Sequence, residues 1–371
     1  MPKNKEFVTI HVNLNNFKQK ALVQALLRDV LRFFVVLEVV MNYKKRRILT
    51  GLQPTGAITL GNYIGAIKQM VKYQELYDSF IFVADLHAIT VRQDPNELSK
   101  NIRSLIALYL ACGIDSEKNT IFIQSENLYH TNTSWILECL TPYGELGRMT
   151  QFKDKSKNNQ NFSAGLLTYP VLMASDILLY DVDYVPTGQD QKQHVELARN
   201  IAERVNNKYN SEIFKVPEPL IPEMGAKIMD LTDPAKKMSK SSPNPKGVIY
   251  LLDDEETIRK KIMSATTDSD MKIMFNIEEK PGISNLINIY VSLTNLTKEE
   301  VEEKYKDSNY GTFKKDLADI VVNTVMPIQN RYKELIDSKE LEEILDLGRD
   351  KTIEIAKKKY NLLKQSIGLH R

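Results

Sequence analysis

From Arg47 the apolar positions follow two alternating periods. Short apolar runs at Ile48-Leu49, Phe80 to Ala84, Thr120 to Ile123 and Asp183 to Thr187 read as strands. Between them apolar residues recur at helical spacing: Ile64, Ile67 and Val71, then Leu98, Ile102, Leu105, Ile106 and Tyr109, then Val195, Leu197, Ile201 and Val205. Strand and helix in alternation predict an α/β fold, a doubly wound parallel sheet covered by helices on both faces. After Lys246 the strand signal fades. Ile283, Leu286, Ile287, Tyr290 and Leu293 line one helix, Phe313, Leu317, Ile320, Val321, Val325 and Ile328 another, and Leu341, Ile344 and Leu345 begin a last one reaching Lys357-Lys358-Lys359. The pattern divides the chain into residues 1–40, an appended segment, 41–245, the α/β domain with a helical insertion at about 131–166, and 246–371, a C-terminal all-helical domain.

Composition narrows this picture without redrawing it. The chain has 371 residues and a formal net charge of +2, so contact with a polyanion has to come from local patches and not from the whole-molecule field. Cys112 and Cys139, with no Cys-x-x-Cys spacing and five scattered histidines, argue against a disulfide framework or a metal site and read as core thiols. That fits a cytoplasmic setting. No stretch approaches the ~20 apolar residues that span a bilayer, and the nearest, Phe33 to Met41, is interrupted by Glu38. Residues 1–40 carry helical apolar spacing ahead of a second candidate start at Met41. They read as a misassigned start, a partner helix or a weak targeting segment.

Candidate chemistry clusters at the predicted strand ends, where parallel sheets bind ligands. Gly51-Leu52-Gln53-Pro54-Thr55-Gly56 and Thr59-Leu60-Gly61-Asn62 form a Gly-rich loop feeding a helix, which offers backbone N–H groups to phosphate or is only a turn. Asp85 and His87 end the second strand, where His87 is given a supporting role. Lys153, Lys155 and Lys157 follow a break at Pro142 and Gly144, either as a cationic arm or as a solvated loop. Asp176 lies in an apolar run with Tyr169, Pro170 and Met173, on a helix expected to follow Pro170. A carboxylate there needs a donor, from a neighbouring backbone or arginine or from a ligand N–H. Gly188-Gln189-Asp190-Gln191 closes the fourth strand and suits either a ribose and an ammonium or a helix cap. Lys236-Lys237-Met238-Ser239-Lys240-Ser241, before Pro243 and Pro245, reads as an exposed, mobile basic loop able to close on a polyphosphate.

Together the Gly-rich turn, the loop from Lys237 to Ser241 and the helical tail resemble a class I aminoacyl-tRNA synthetase. Tyr169-Pro-Val-Leu-Met-Ala-Ser-Asp176-Ile-Leu and Gly188-Gln-Asp-Gln191-Lys-Gln-His narrow the likeness to the bacterial-type tryptophanyl-tRNA synthetases, from about residue 46 to the C-terminus. The class signature His-Ile-Gly-His is Thr59-Leu60-Gly61-Asn62 here, so contact at Asn62 has to be a neutral hydrogen bond.

The resemblance implies a Rossmann-like catalytic domain and a helical tRNA anticodon-binding domain. It implies that Gln53, Pro54, Thr55, Gly61, Asn62, Gly188, Gln189, Asp190 and Ile228 meet ATP, with Lys237, Met238, Ser239, Lys240 and Ser241 closing over it. Lys155, Lys237 and Lys240 would stabilise the departing pyrophosphate. Asp176, Tyr169, Met173, Gln191 and His87 would form the tryptophan site. An indole N–H is a donor with no acceptor, and a lone carboxylate suits it. The expected partners are ATP carrying Mg2+, L-tryptophan and tRNA(Trp), in a homodimer with no DNA, no membrane and no metal site of its own. A tyrosyl-tRNA synthetase and a catalytically silent tRNA-binding paralogue are the alternatives, and a small-molecule adenylyltransferase is disfavoured by the helical tail.

Overall fold

The computed structural model describes residues 45–156, 162–188, 191–221, 227–240, 242 and 244–371, and residues Arg46–Arg371 form one compact unit. The appended segment 1–40 lies outside the described residues. Five strands make one parallel sheet: β1 (Arg47–Leu52), β2 (Asp78–Val83), β3 (Asn119–Ile123), β4 (Tyr184–Pro186) and β5 (Glu218–Leu220), in the order β3-β2-β1-β4-β5. The first four are the runs the apolar pattern predicts. β5, a Glu-Pro-Leu segment, carries no apolar alternation. Its proline is tolerated because an edge strand has no further neighbour to receive an N–H.

Helices cover both faces. A helical stretch opens at Leu60–Asn62, passes through a π-helical turn at Tyr63–Ile67 and continues as α1 (Lys68–Leu76). Next come α2 (Pro95–Ala111), α3 (Tyr129–Cys139), α4 (Ala164–Leu178) and α5 (Lys192–Tyr209). The ends obey local chemistry. Asp94 accepts from the Asn96 and Glu97 N–H groups ahead of Pro95, and Asn210 ends α5 in a left-handed conformation at φ 47°. α4 starts before Pro170, where the sequence reading places it after; the proline is accommodated inside the helix and buried.

Strand alternation sends Phe80 and Phe82 to one core with Leu49, Phe122, Val171 and Ile177, and Ile81 and Val83 to the other with Leu105, Ile106 and Ile121. The C-terminal helices α6 (Glu255–Met263), α7 (Pro281–Leu293), α8 (Lys298–Tyr305), α9 (Tyr310–Leu335) and α10 (Lys339–Ser366) extend the second core through Ile287, Phe313, Val321 and Leu341. The helical region therefore shares its core with the sheet. α10 runs back to β3 at the sheet edge, so close that a Cβ on Gly348 would fall 1.7 Å from the Ile121 carbonyl oxygen, while Lys351 Nζ donates to Thr120 Oγ1 at 2.7 Å.

One sequence expectation changes here. Cys112 is buried, but Cys139, at the end of α3, is exposed and not a core thiol. In the basic run Lys357-Lys358-Lys359, Lys359 is turned inward, pairing with Asp181 at 2.6 Å and donating to the Ile213 carbonyl at 2.9 Å, and Lys358 pairs with Glu354 at 2.6 Å.

Candidate active site

The strand order reverses between β1 and β4, and a cavity of about 420 Å³ opens at the carboxyl ends of these strands. Diverging loops leave a crevice at such a switch point. Its walls include Gly51 to Gln53 at the end of β1, Pro186 to Gly188 at the end of β4, and Tyr169, Met173, Asp176 and Ile177 of α4, with His87 and Gln191.

Asp176 is fully buried, and its carboxylate accepts three hydrogen bonds. Gln124 Nε2 donates to Oδ1 at 2.8 Å, His130 Nδ1 to the same oxygen at 2.7 Å, and His87 Nε2 to Oδ2 at 2.7 Å. Burial alone would raise its pKa, but the bonds from His130 and His87 hold it down to about 2, so the group is an anion at neutral pH. A carboxylate has about four lone-pair sites. With two donors on Oδ1 and one on Oδ2, the described residues leave one acceptor position on Oδ2, at the cavity wall. Of the two sources of a donor weighed from the sequence, a neighbouring backbone or arginine is thus replaced by two histidines and a glutamine.

Tyr169 fixes the other side. Its hydroxyl donates to Gln151 Oε1 at 3.1 Å and lies 2.9 Å from His194 Nε2, and burial pushes its pKa up to about 12. The hydroxyl therefore stays protonated.

The phosphate side is built by two loops that meet. Thr59 accepts from the Asn62 N–H at 3.1 Å and Asn62 Oδ1 accepts from the Thr59 N–H at 3.1 Å, a capping box that starts the helix. This fixes the Asn62 amide by its oxygen; among the described residues its Nδ2 has no partner and remains a neutral donor. Leu60 N–H donates to the Ile249 carbonyl at 2.8 Å, tying the turn to the segment after the lysine loop. A Cβ built at Gly61 would lie 3.5 Å from Met238 Cβ and 3.6 Å from Ile228 Cβ, ordinary contact distances that show the two loops packed against each other.

The lysine loop is not free along its length, as the sequence reading has it. Met238 is 2% exposed, its N–H donates to the Ile228 carbonyl at 3.0 Å, and Met229 bridges Lys237. Charged and apolar positions separate: Lys237 and Ser239 are exposed while Met238 enters the core. The half-buried stem of Lys240 passes over Gly56, where a built Cβ would lie 3.8 Å from Lys240 Cβ. Burial lowers the Lys240 pKa to about 8. Below the loop, buried Asp230 accepts from Thr232 N–H and Oγ1, both at 2.8 Å, and from Ser242 Oγ at 3.1 Å, which fixes the loop base.

The structure thus brings Gln53, His87, Tyr169, Met173, Asp176, Gly188 and Gln191 to one cavity, and Gly61, Ile228 and Met238 to one contact. Pro54 and Thr55 lie in the loop between β1 and Gly61. Lys153 and Lys155 fall on a short helix, Thr150–Ser156. The Lys155 side chain, Gln189, Asp190 and Ser241 lie outside the described residues. Gln124 and His130 escaped the sequence reading, although both follow β3 and the strand-end rule that singled out His87 applies to them equally.

Comparison with known proteins leads to the same chemistry. Residues 41–325 match the family profile of the class I tRNA synthetases (W and Y), and the chain belongs to that family. Within it, the chain is 56% identical over 327 residues to the tryptophan–tRNA ligase of Bacillus subtilis, covering 88% of this chain and 99% of that one. It is similar to the crystal structure of the Mycoplasma pneumoniae tryptophanyl-tRNA synthetase, at 38% identity and a TM-score of 0.79 over 88% and 98% of the two chains. It is also similar to the Campylobacter jejuni tryptophanyl-tRNA synthetase complexed with ADP and tryptophan, at 38% identity and a TM-score of 0.77 over 87% and 99%. Its place is among the bacterial-type tryptophanyl enzymes of the family.

Proposed function

We propose that this chain is a tryptophan–tRNA ligase that activates L-tryptophan with Mg-ATP, releases pyrophosphate, and passes the acyl group to the terminal ribose of tRNA(Trp). The observation that carries the reading is the acceptor position left on Asp176 Oδ2 at the wall of an otherwise largely apolar cavity. An indole N–H fills it and asks nothing in return. A phenol would also donate, but its oxygen needs a donor too, and the ring N–H groups of His130 and His87 that face Asp176, with one N–H of Gln124, are already given to the carboxylate. Tyrosine would therefore leave its oxygen unpaired, a loss of the kind that separates amino acids by several powers of ten.

The activation step needs no side-chain nucleophile. The tryptophan carboxylate attacks the α-phosphate, the bond to the β-phosphate oxygen breaks, and pyrophosphate leaves. The protein positions the reactants and stabilises the charge. Gly61 N–H and Asn62 Nδ2 on one loop and Lys237 and Lys240 on the other are the groups assigned to the phosphates, with Gln53, Pro54, Thr55, Met238, Ser239 and Ser241 shaping the nucleotide site and Ile228 against adenine. Gly188, Gln189 and Asp190 are assigned to the ribose, Tyr169 and Gln191 to the tryptophan head group, and Lys155 to a second cationic arm.

The helical region 246–371 is assigned to the tRNA anticodon end, and the active form to a homodimer. Supporting the dimer, Trp135 and Ile89 are 68% and 60% exposed and line one apolar concavity whose wall includes Tyr169. The test is ATP–pyrophosphate exchange with tryptophan and with tyrosine. Exchange with tryptophan alone is expected, and a preference for tyrosine overturns the assignment. A protein that binds tRNA but exchanges with neither is the silent paralogue.

A further inference from the structure

We propose that His130 and Tyr180 are positioning residues for amino-acid selection, deciding which oxygen of Asp176 reads the substrate. The inference rests on Asp176 accepting from the substrate ring. Neither residue touches the cavity. Their effect runs through a buried chain of hydrogen bonds that ends on Asp176.

Asn127 Oδ1 accepts from the Tyr129 N–H at 3.1 Å, so the amide nitrogen faces Tyr180 and donates to its hydroxyl at 3.1 Å. His130 Nε2 lies 2.7 Å from the same hydroxyl, and His130 Nδ1 lies 2.7 Å from Asp176 Oδ1. The carboxylate cannot donate, so Nδ1 carries the hydrogen. Nε2 thus faces the Tyr180 hydroxyl, which also accepts from Asn127 and has Thr352 as a further partner, and a hydrogen given by that hydroxyl to Nε2 fixes the ring with Nδ1 toward the carboxylate. Burial pushes the Tyr180 pKa well up, which keeps that hydrogen in place. Gln124 is oriented by the same logic. Its Oε1 accepts from the Leu86 N–H at 3.2 Å, which turns Nε2 to Asp176 Oδ1.

All the hydrogens in this chain point at Oδ1. That oxygen is saturated, and the open acceptor position is confined to Oδ2 beside His87. Were the imidazole to lose the Tyr180 hydrogen it could rotate or change tautomer, freeing Oδ1 and letting the carboxylate turn. His130, Tyr180 and Asp176 are all buried, so water cannot replace a missing donor without a cavity to hold it.

The experiment compares L-tryptophan with L-3-(3-benzothienyl)alanine, in which sulfur replaces the ring N–H, in the exchange reaction of the full chain. The wild-type preference in kcat/KM measures the bond to Asp176 and should be about tenfold or more, the value of a hydrogen bond to a charged group. Tyr180→Phe and His130→Leu should cut that preference to within about threefold of unity, through KM for tryptophan, with KM for ATP unmoved. His130→Asn places an amide nitrogen where Nδ1 stands and should restore most of the preference lost in His130→Leu. Equal losses for both substrates, with the preference intact, would make the two residues merely structural and overturn the proposal. No preference in the wild type would instead remove the reading of Asp176 itself. If His130→Leu does not fold, Tyr180→Phe, which removes one oxygen, decides the matter.

Discussion

Replacing Asp176 by asparagine keeps the shape of the side chain and reverses half of its chemistry. The carboxylate donates nothing and receives three bonds, two on Oδ1 and one on Oδ2. The amide nitrogen of asparagine has to occupy one of those places. On the Oδ1 side it opposes the N–H groups of Gln124 and His130. On the Oδ2 side it opposes His87 Nε2 and the indole N–H together. On the proposed reading, in which Asp176 accepts from the indole, that charge-assisted bond is lost in either case, at about 1.5–3 kcal/mol, and a donor facing a donor adds about 1–3 kcal/mol. The Kd for tryptophan should rise by about 10²- to 10⁴-fold. The effect should stay out of the nucleotide site, so KM for ATP should hold.

The same substitution has a stability cost with a definite sign. Because the folded pKa of about 2 lies below the ordinary 3.8, the anion stabilises the fold above pH 4, and that stabilisation is lost as pH falls toward 2. At neutral pH it is worth about 2 kcal/mol. Asp176→Asn should therefore melt a few degrees early and lose the acid-limb dependence. Calorimetric titration with tryptophan and exchange kinetics read the two consequences separately. A Kd within about threefold of wild type would refute the reasoning, being too small for the loss of a charged acceptor. So would an equal rise in KM for ATP.

Lys240→Ala should lower the single-turnover rate of tryptophan activation by about 10²-fold, the scale of one electrostatic contact to the transition state, with tryptophan affinity intact by equilibrium titration. Because Lys240 titrates near pH 8 in the free protein, its charge is lost as pH rises, so kcat/KM for ATP should fall above pH 8, and Lys240→Arg should remove that limb from the profile. Gly348→Ala should lower stability by about 3 kcal/mol in urea unfolding, since its Cβ cannot stand 1.7 Å from a backbone oxygen without moving α10 off β3. Trp135→Asp should shift a dimer to monomer in sedimentation equilibrium; an unchanged mass would place the interface elsewhere.

The periodicity carried most of the fold because four strands and the long helices bury continuous apolar faces. β5 was illegible because Glu218, Pro219 and Leu220 pair only along the sheet edge and have no buried alternation to show. Asp176 was legible because an anion among Leu, Met and Ile has to be paired. Its partners were not, since Gln124 follows β3 and His130 stands on α3, and only the packing of that region against α4 brings them near. The lysine loop showed its charge but not its anchor. Met238 reads as one apolar residue in a basic run, and whether it is solvated or buried depends on the Ile228–Met229 segment opposite it.

The seating of α10 on β3 also bears on how the chain is made. Thr120 and Lys351, which close that contact, are 231 residues apart. As the chain emerges from the ribosome the strand exists long before its cover does, and an uncovered edge strand is a template for pairing with other chains. The growing protein has to pass through most of its own synthesis with one side of its sheet unguarded. Ribosome pausing or truncation before α10 should therefore yield aggregates, and a chaperone that shields β3 would act during translation and not after it.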